Sequence, residues 1–284
     1  MFIVLAGKLL LWSTFVFIYL INTTTLAQPG FISYYCGESG NFTRNSTYQG
    51  NLDDTLAALP NTNSGFGFYN RSTGQGNDSV NSIALCRGDV EPGLCRSCLN
   101  DSIVRLRKIC PNQKEAIGYY DNCMLKYSNE TILGNTRIRF YVFYANNQNA
   151  SDEDGFNRAL RPLMNRLRGD AAAGGPLLKF ATGNTTGPNL ETIYGLVQCT
   201  PELNEMQCSG CLEDAISQFG NSNSGKIGGR TLLPMCNFRY EISRFYNEST
   251  LFIPPPPPPI PTPPGTNCIF FTTLISDMVL IHLI

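Results

Sequence analysis

One spacing governs what this chain can fold into: Cys86-x8-Cys95-x2-Cys98 recurs as Cys199-x8-Cys208-x2-Cys211, a shift of 113 residues (86 to 199). The same shift carries Leu99 onto Leu212, Asp101 onto Asp214, Ile103 onto Ile216, Cys123 onto Cys236 and Tyr127 onto Tyr240. Self-similarity at a fixed offset means two copies of one unit. At about 110 residues, each copy is long enough to fold around its own core. The first is expected from about Gly30 to Tyr144 and the second from about Ala145 to Ile253.

The compartment decides how the cysteines are read. Lys8 precedes an apolar run from Leu9 to Leu20, and Thr25-Leu26-Ala27 closes it with small residues. That is the pattern of a secretory signal peptide, with an uncleaved anchor as the rival reading. Cleavage after Ala27 leaves Gln28 as the new N-terminus. The expected segments are then 1–27 signal peptide, 28–144 first copy, 145–253 second copy, 254–266 proline-rich linker and 267–284 apolar tail.

In an oxidising compartment, most of the 11 cysteines should pair. The first copy has two extra cysteines, Cys36 and Cys110, and positions 113 further on carry Asn149 and Asn223. Both extras disappear together, so they are expected to bond each other. The four shared cysteines then pair among themselves. The eight-residue gap suits a closed loop, giving Cys86–Cys95 and Cys98–Cys123, and in the second copy Cys199–Cys208 and Cys211–Cys236. Zinc is the rival reading of Cys-x2-Cys, but each copy offers one such pair and no histidine. Loop closure sets a ceiling of roughly 3 to 4.5 kcal/mol per bridge. Without the long-loop staple, the second copy should be the less rugged half.

Nine Asn-x-Ser/Thr acceptors follow the signal peptide: Asn41, Asn45, Asn70, Asn77, Asn100, Asn129, Asn149, Asn184 and Asn247. In a secreted chain this density implies glycosylation. The formal net charge of −1 shows no basic patch for nucleic acid. The single histidine, His282, sits in the C-terminal tail. The usual general base and commonest metal ligand are therefore missing from both copies, so no Ser-His-Asp or Cys-His site is expected. Cofactors and metals are expected to be none.

Leu99, Ile103, Leu106 and Cys110 recur at helical spacing, and Leu212, Ile216 and Phe219 repeat that face. Phe156, Leu160, Leu163 and Leu167 form another apolar stripe, interrupted by Pro162. The runs 138–144 and Phe238–Ile242, with the segments before Cys86 and Cys199, read as strands. The fold class is α+β, with two helices packed on a small antiparallel sheet in each copy. After Pro254–Pro259 and the prolines that follow, an extended spacer leads to the tail from Cys268 to Ile284. Three readings of that tail stand: a weak membrane tether, a removed segment, or the start of a longer chain. Cys268 is the odd cysteine.

The duplicated Cys-x8-Cys-x2-Cys motif, in a secreted chain with a proline-rich linker, resembles the plant DUF26 (Gnk2-homologous) family. Its members include ectodomains of cysteine-rich receptor-like kinases, plasmodesmata-located proteins and cysteine-rich repeat secretory proteins. The resemblance implies two helices over a five-stranded antiparallel sheet and the bridges already reached from the repeat. A single-domain seed member is a mannose-binding antifungal protein. Its sugar site uses an asparagine after the first cysteine position, an arginine six residues before the last cysteine and a glutamate five after it. The first copy departs at all three, with Gly37, Ile117 and Ser128. The second carries Asn146, Arg230 and Glu241, with Ala145 at the cysteine position. Charged partners would strengthen hydrogen bonds to sugar hydroxyls; the bland alternative is a cross-strand Arg230–Glu241 ion pair.

The expected function is an extracellular recognition module that binds a cell-wall or microbial glycan, or a partner ectodomain. The alternative is a soluble mannose-binding antifungal protein. Catalysis is not expected. Asp53 and Asp54, or Asp152, Glu153 and Asp154, suggest paired carboxylates for glycoside hydrolysis, but such loop acids usually face solvent or cap helices. Asp101 and Asp214 lie on helices and read as local structure. No glycine-rich loop with a kinase catalytic set is present.

Overall fold

The structure is a computed structural model that describes residues 30–62, 66–135, 140–175 and 178–248. Both copies fall within one compact unit. The signal peptide, the linker, the tail and Cys268 lie outside the described residues.

The first copy runs β1 (Phe31–Cys36), α1 (Thr47–Ala58), β2 (Phe68–Thr73), β3 (Val80–Cys86), α2 (Pro92–Ile109), β4 (Ala116–Tyr120) and β5 (Cys123–Ser128). The second repeats it as β6 (Val142–Ala145), α3 (Glu153–Ala172), β7 (Lys179–Thr186), β8 (Thr192–Cys199), α4 (Glu205–Asn223), β9 (Gly229–Leu232) and β10 (Cys236–Glu241). Each copy forms one antiparallel five-stranded sheet, ordered β1-β4-β5-β3-β2 and β6-β9-β10-β8-β7. Two helices cover one face of each.

The Cys-x2-Cys spacing explains how helix and sheet are joined. Residues three apart on a helix share a face, so Cys95 and Cys98 both look from α2 toward the sheet. They bond Cys86 and Cys123, which are direct partners across β3 and β5. In the second copy Cys208 and Cys211 bond Cys199 and Cys236, again partners across two strands. Cys36–Cys110 ties β1 to the end of α2 in the first copy alone. At the corresponding place in the second copy, Ala145 pairs with Gly229 as Cys36 pairs with Ala116, and Asn223 ends α4.

Two expectations need correction. Pro162 does not interrupt the apolar stripe: α3 continues through it from Glu153 to Ala172. A proline removes one backbone donor, and burial of Phe156, Leu163, Met164 and Leu167 against the sheet outweighs that loss. The second sheet also starts earlier than Ala145, because Val142, Phe143 and Tyr144 pair with β9. Of the expected 138–144 strand, residues 138 and 139 lie outside the described residues.

The helix-covered faces form two cores, one around Leu52, Leu99, Leu106 and Tyr127 and the other around Phe156, Leu212, Phe219 and Phe238. A third cluster lies on the opposite face of the first sheet. There Phe68, Ile83, Leu85, Ile117, Tyr119, Met124 and Ile132 are buried, with Leu232 of the second copy packed on them. The two sheets thus meet through the faces that carry no helix.

Candidate recognition site on the second copy

Along β10, Phe238 and Tyr240 point into the helix-covered core, so Arg239 and Glu241 point to the other face. Arg230 lies directly across from Arg239, and Tyr144 directly across from Arg230. Asn146, two residues after Tyr144, follows on the same face, and its N–H donates to Gly228 C=O at 2.8 Å. The fold therefore places Asn146, Arg230 and Glu241 on one face.

The expected cross-strand ion pair is not what forms. Arg230 Nη1 donates to Asp121 Oδ1 of the first copy at 2.7 Å. Glu241 is taken by Arg239, at 3.1 Å. Arg239 lies 3.8 Å from the same Asp121 and stacks 4.3 Å above the Phe245 ring. Burial, then the neighbouring Arg230, holds the Arg239 guanidinium below its usual range. The space beside these groups is about 60 Å3, lined by Asp121, Arg230, Arg239 and Gln198 among others. Asn146 and Glu241 do not line it.

Glu241 lies over Gly228, whose C=O takes the Asn146 N–H. A Cβ at residue 228 would collide with the Glu241 carboxylate, so Gly228 is what admits it. Asn146 Oδ1 accepts from the Gln148 N–H at 2.9 Å. The first copy solves the same position in reverse: Gly37 lies against the Glu115 side chain, and Glu115 sits 3.9 Å from Lys126.

Sequence reasoning missed the contacts between the copies. Gln198 Nε2 donates to Cys86 C=O at 3.0 Å, and Arg87 Nη2 donates to Phe245 C=O at 3.3 Å. The Asn247 N–H donates to Asp89 Oδ2 at 2.8 Å, and the Phe180 ring lies against Gly88. The signal was present as mismatch: where the first copy has Leu85, Ile117 and Met124, the second has Gln198, Arg230 and Asn237.

The other candidates fall into place singly. Asp53 pairs with Arg107 at 2.6 Å. Asp152 caps α3 by accepting from Gly155 N–H, and Glu153 accepts from Asn149. Asp101 is half-buried near Tyr120, whereas Asp214 is exposed. Asp54 and Asp154 are exposed. Among the described residues no group of His, Cys, Asp or Glu could hold a metal ion, and no helix is long and apolar enough to cross a membrane. Of the nine glycosylation candidates, Asn41, Asn45, Asn70, Asn77, Asn100, Asn149, Asn184 and Asn247 are exposed, whereas Asn129 is half-buried with an enclosed Oδ1.

The salt stress response/antifungal family matches residues 35–130 and 144–243, one match on each copy. The chain belongs to this family. Cysteine-rich repeat secretory protein 38 of Arabidopsis thaliana is 40% identical over 78% of this chain and 89% of its own length. Cysteine-rich receptor-like protein kinase 25 of the same plant is 37% identical over 88% of this chain, which spans only 38% of that kinase. The tandem DUF26 ectodomain of the Arabidopsis thaliana cysteine-rich receptor-like protein PDLP8 has the same fold, with a TM-score of 0.65 and 21% identity over 75% of this chain and 98% of that one. The family member described here is accordingly an extracellular cysteine-rich module of the receptor-like or secreted type.

Proposed function

We propose that this protein is an extracellular recognition module that binds the ectodomain of a partner protein through the aromatic edge formed by β1 and β6. The observation that carries this reading is the exposure of Tyr34, Tyr141, Phe143 and Tyr144, each 45–50% accessible, on or beside those strands. Both strands are sheet edges with unpaired backbone groups, and they meet where the Tyr144 hydroxyl donates to Ile32 C=O at 3.3 Å. Exposed aromatics are what protein interfaces enrich and what their hot spots use, and open edges invite further pairing. The module recognises and does not catalyse. Its kinase relatives' phosphoryl transfer is not carried over to this chain.

A glycan reading rests on Glu241 lying over Gly228, to whose C=O the Asn146 N–H is bonded. It is the second reading because Arg230, the third member of that trio, is held by Asp121. The test is a panel of plant extracellular ectodomains, printed beside a glycan array and probed with the full secreted chain and with Phe143→Asp and Glu241→Ala. The expected result is ectodomain binding that Phe143→Asp abolishes and Glu241→Ala leaves intact. Glycan binding lost in Glu241→Ala, with no ectodomain bound, would replace this reading by the lectin one.

A further inference from the structure

Of the nine glycosylation acceptors, only Asn70 and Asn184 fall inside strands, and those strands are β2 and β7. These are the outer edges of the two sheets, opposite to the edges formed by β1 and β6. Both asparagines are exposed. Neither β1 nor β6 contains an acceptor.

Strand pairing fixes where the two side chains stand. Asn70 pairs with Ile83, which is buried on the helix-free face, so Asn70 stands on that face at its rim. Asn184 comes four residues after Phe180, whose ring meets Gly88 of the first copy. The intervening Gly183 faces Leu163 and Leu167 of α3, so Asn184 too stands on the helix-free face. The two are not one position repeated. The counterpart of Ile83 at the 113-residue shift is Leu196, and Leu196 pairs with Thr182. The second copy thus brings an acceptor to the same edge and the same face from two residues further along the strand.

We propose that Asn70 and Asn184 carry N-glycans that close β2 and β7 to strand addition, leaving the sheets open along β1 and β6. An open edge offers its free N–H and C=O groups to any strand that approaches to about 4.8 Å. A branched, hydrated sugar on the edge strand fills that space and cannot continue the ladder. Charged side chains are the usual guards of such an edge. Strand β2 has Arg71, but the one charge on β7, Lys179, is buried and donates to the Ala172 and Gly174 carbonyls at 2.8 and 2.9 Å. In the attachment, Asn Nδ2 bonds the anomeric carbon of an oligosaccharide carried on a lipid pyrophosphate. The lipid pyrophosphate leaves, one amide proton is lost, and the other N–H remains.

The test begins with mass-spectrometric peptide mapping of the secreted chain, in which Asn70 and Asn184 should both be occupied. Analytical ultracentrifugation then compares the full secreted chain with Asn70→Gln/Asn184→Gln and with Asn100→Gln/Asn247→Gln, which removes two acceptors away from the sheet edges. The edge variant should self-associate as its concentration rises, with slower amide exchange in β2 and β7. The control should sediment like the wild-type chain. Ser72→Ala/Thr186→Ala removes the same acceptors, keeps both asparagines and should reproduce the edge variant. If these variants are not secreted, enzymatic trimming of the folded wild-type chain should produce the same self-association. Ectodomain binding through β1 and β6 should persist in the edge variant, so this inference and that reading can fail separately. An empty Asn70 or Asn184 in the secreted chain, or a folded edge variant that sediments and exchanges like the control, would overturn the proposal.

Discussion

The two copies share topology and disulfide register, yet they use the helix-free face of the sheet differently. In the first copy β4 and β5 are buried on both faces, because Ile117, Tyr119 and Met124 lie under the second copy. In the second copy β9 and β10 alternate between buried and half-exposed residues, and Arg230, Arg239 and Glu241 occupy the outer positions. The same strands, 113 residues apart, have become an apolar base in one copy and a charged clasp in the other. Duplication kept what the disulfides and helices require and freed that face to diverge.

The largest test of this contrast is the staple present in one copy only. Cys36→Ser/Cys110→Ser should cost the first copy about 3 to 4.5 kcal/mol by loop-closure entropy, and hydrogen exchange should then show its strands as no better protected than β6–β10. Next comes the acid that both copies place at the 113-residue shift, Asp89 and Glu202. Asp89 is buried and held by Arg87, so Arg87→Ala should cost about 3 kcal/mol in chemical denaturation by stranding a buried charge.

A smaller effect is expected where the copies exchange volume across the core. The first copy has Leu106 with Ala116, and the second has Phe219 with Gly229, whose missing Cβ makes room for the Phe219 ring. Phe219→Leu should cost about 1 to 2 kcal/mol as a cavity. Phe219→Leu/Gly229→Ala should recover part of that loss in a double-mutant cycle.

The smallest expected effect has the opposite sign. Glu202 has no arginine like Arg87 beside it: position 200 is Thr, and its Oε2 is buried without a partner. Burial raises its pKa above the ordinary 4.5. The folded form therefore holds this proton to higher pH than the unfolded chain does. That contribution is complete below pH 4.5 and is lost as pH rises through the folded value. Glu202→Gln should therefore stabilise the chain at neutral pH by on the order of 1 kcal/mol, and the gain should fade on acidification.

Much of the fold was legible because the repeat acts as an internal alignment. The spacing of Leu99, Ile103, Leu106 and Cys110 located the helix that also bears Cys95 and Cys98, and the mismatch at Cys36 and Cys110 isolated the unshared bridge. Local rules failed at Pro162, where packing of Leu163 and Leu167 overrides a helix breaker, and at Val142–Tyr144, where the unit boundary falls inside one continuous run. The site was half legible. The family resemblance named Asn146, Arg230 and Glu241, but not the surroundings that the fold gives them. It could not indicate that Asp121, from a turn in the other copy, would claim Arg230, because that contact exists only once the two sheets meet.

The central claim is that Arg230 clasps the two copies together and does not read a sugar. The most direct measurement is calorimetric titration of the full secreted chain with methyl α-mannoside, beside Arg230→Ala. No saturable heat is expected from either protein, while Arg230→Ala should loosen exchange protection around Asp121 and Phe245. Saturable mannoside binding by the wild-type chain that Arg230→Ala abolishes would contradict the claim.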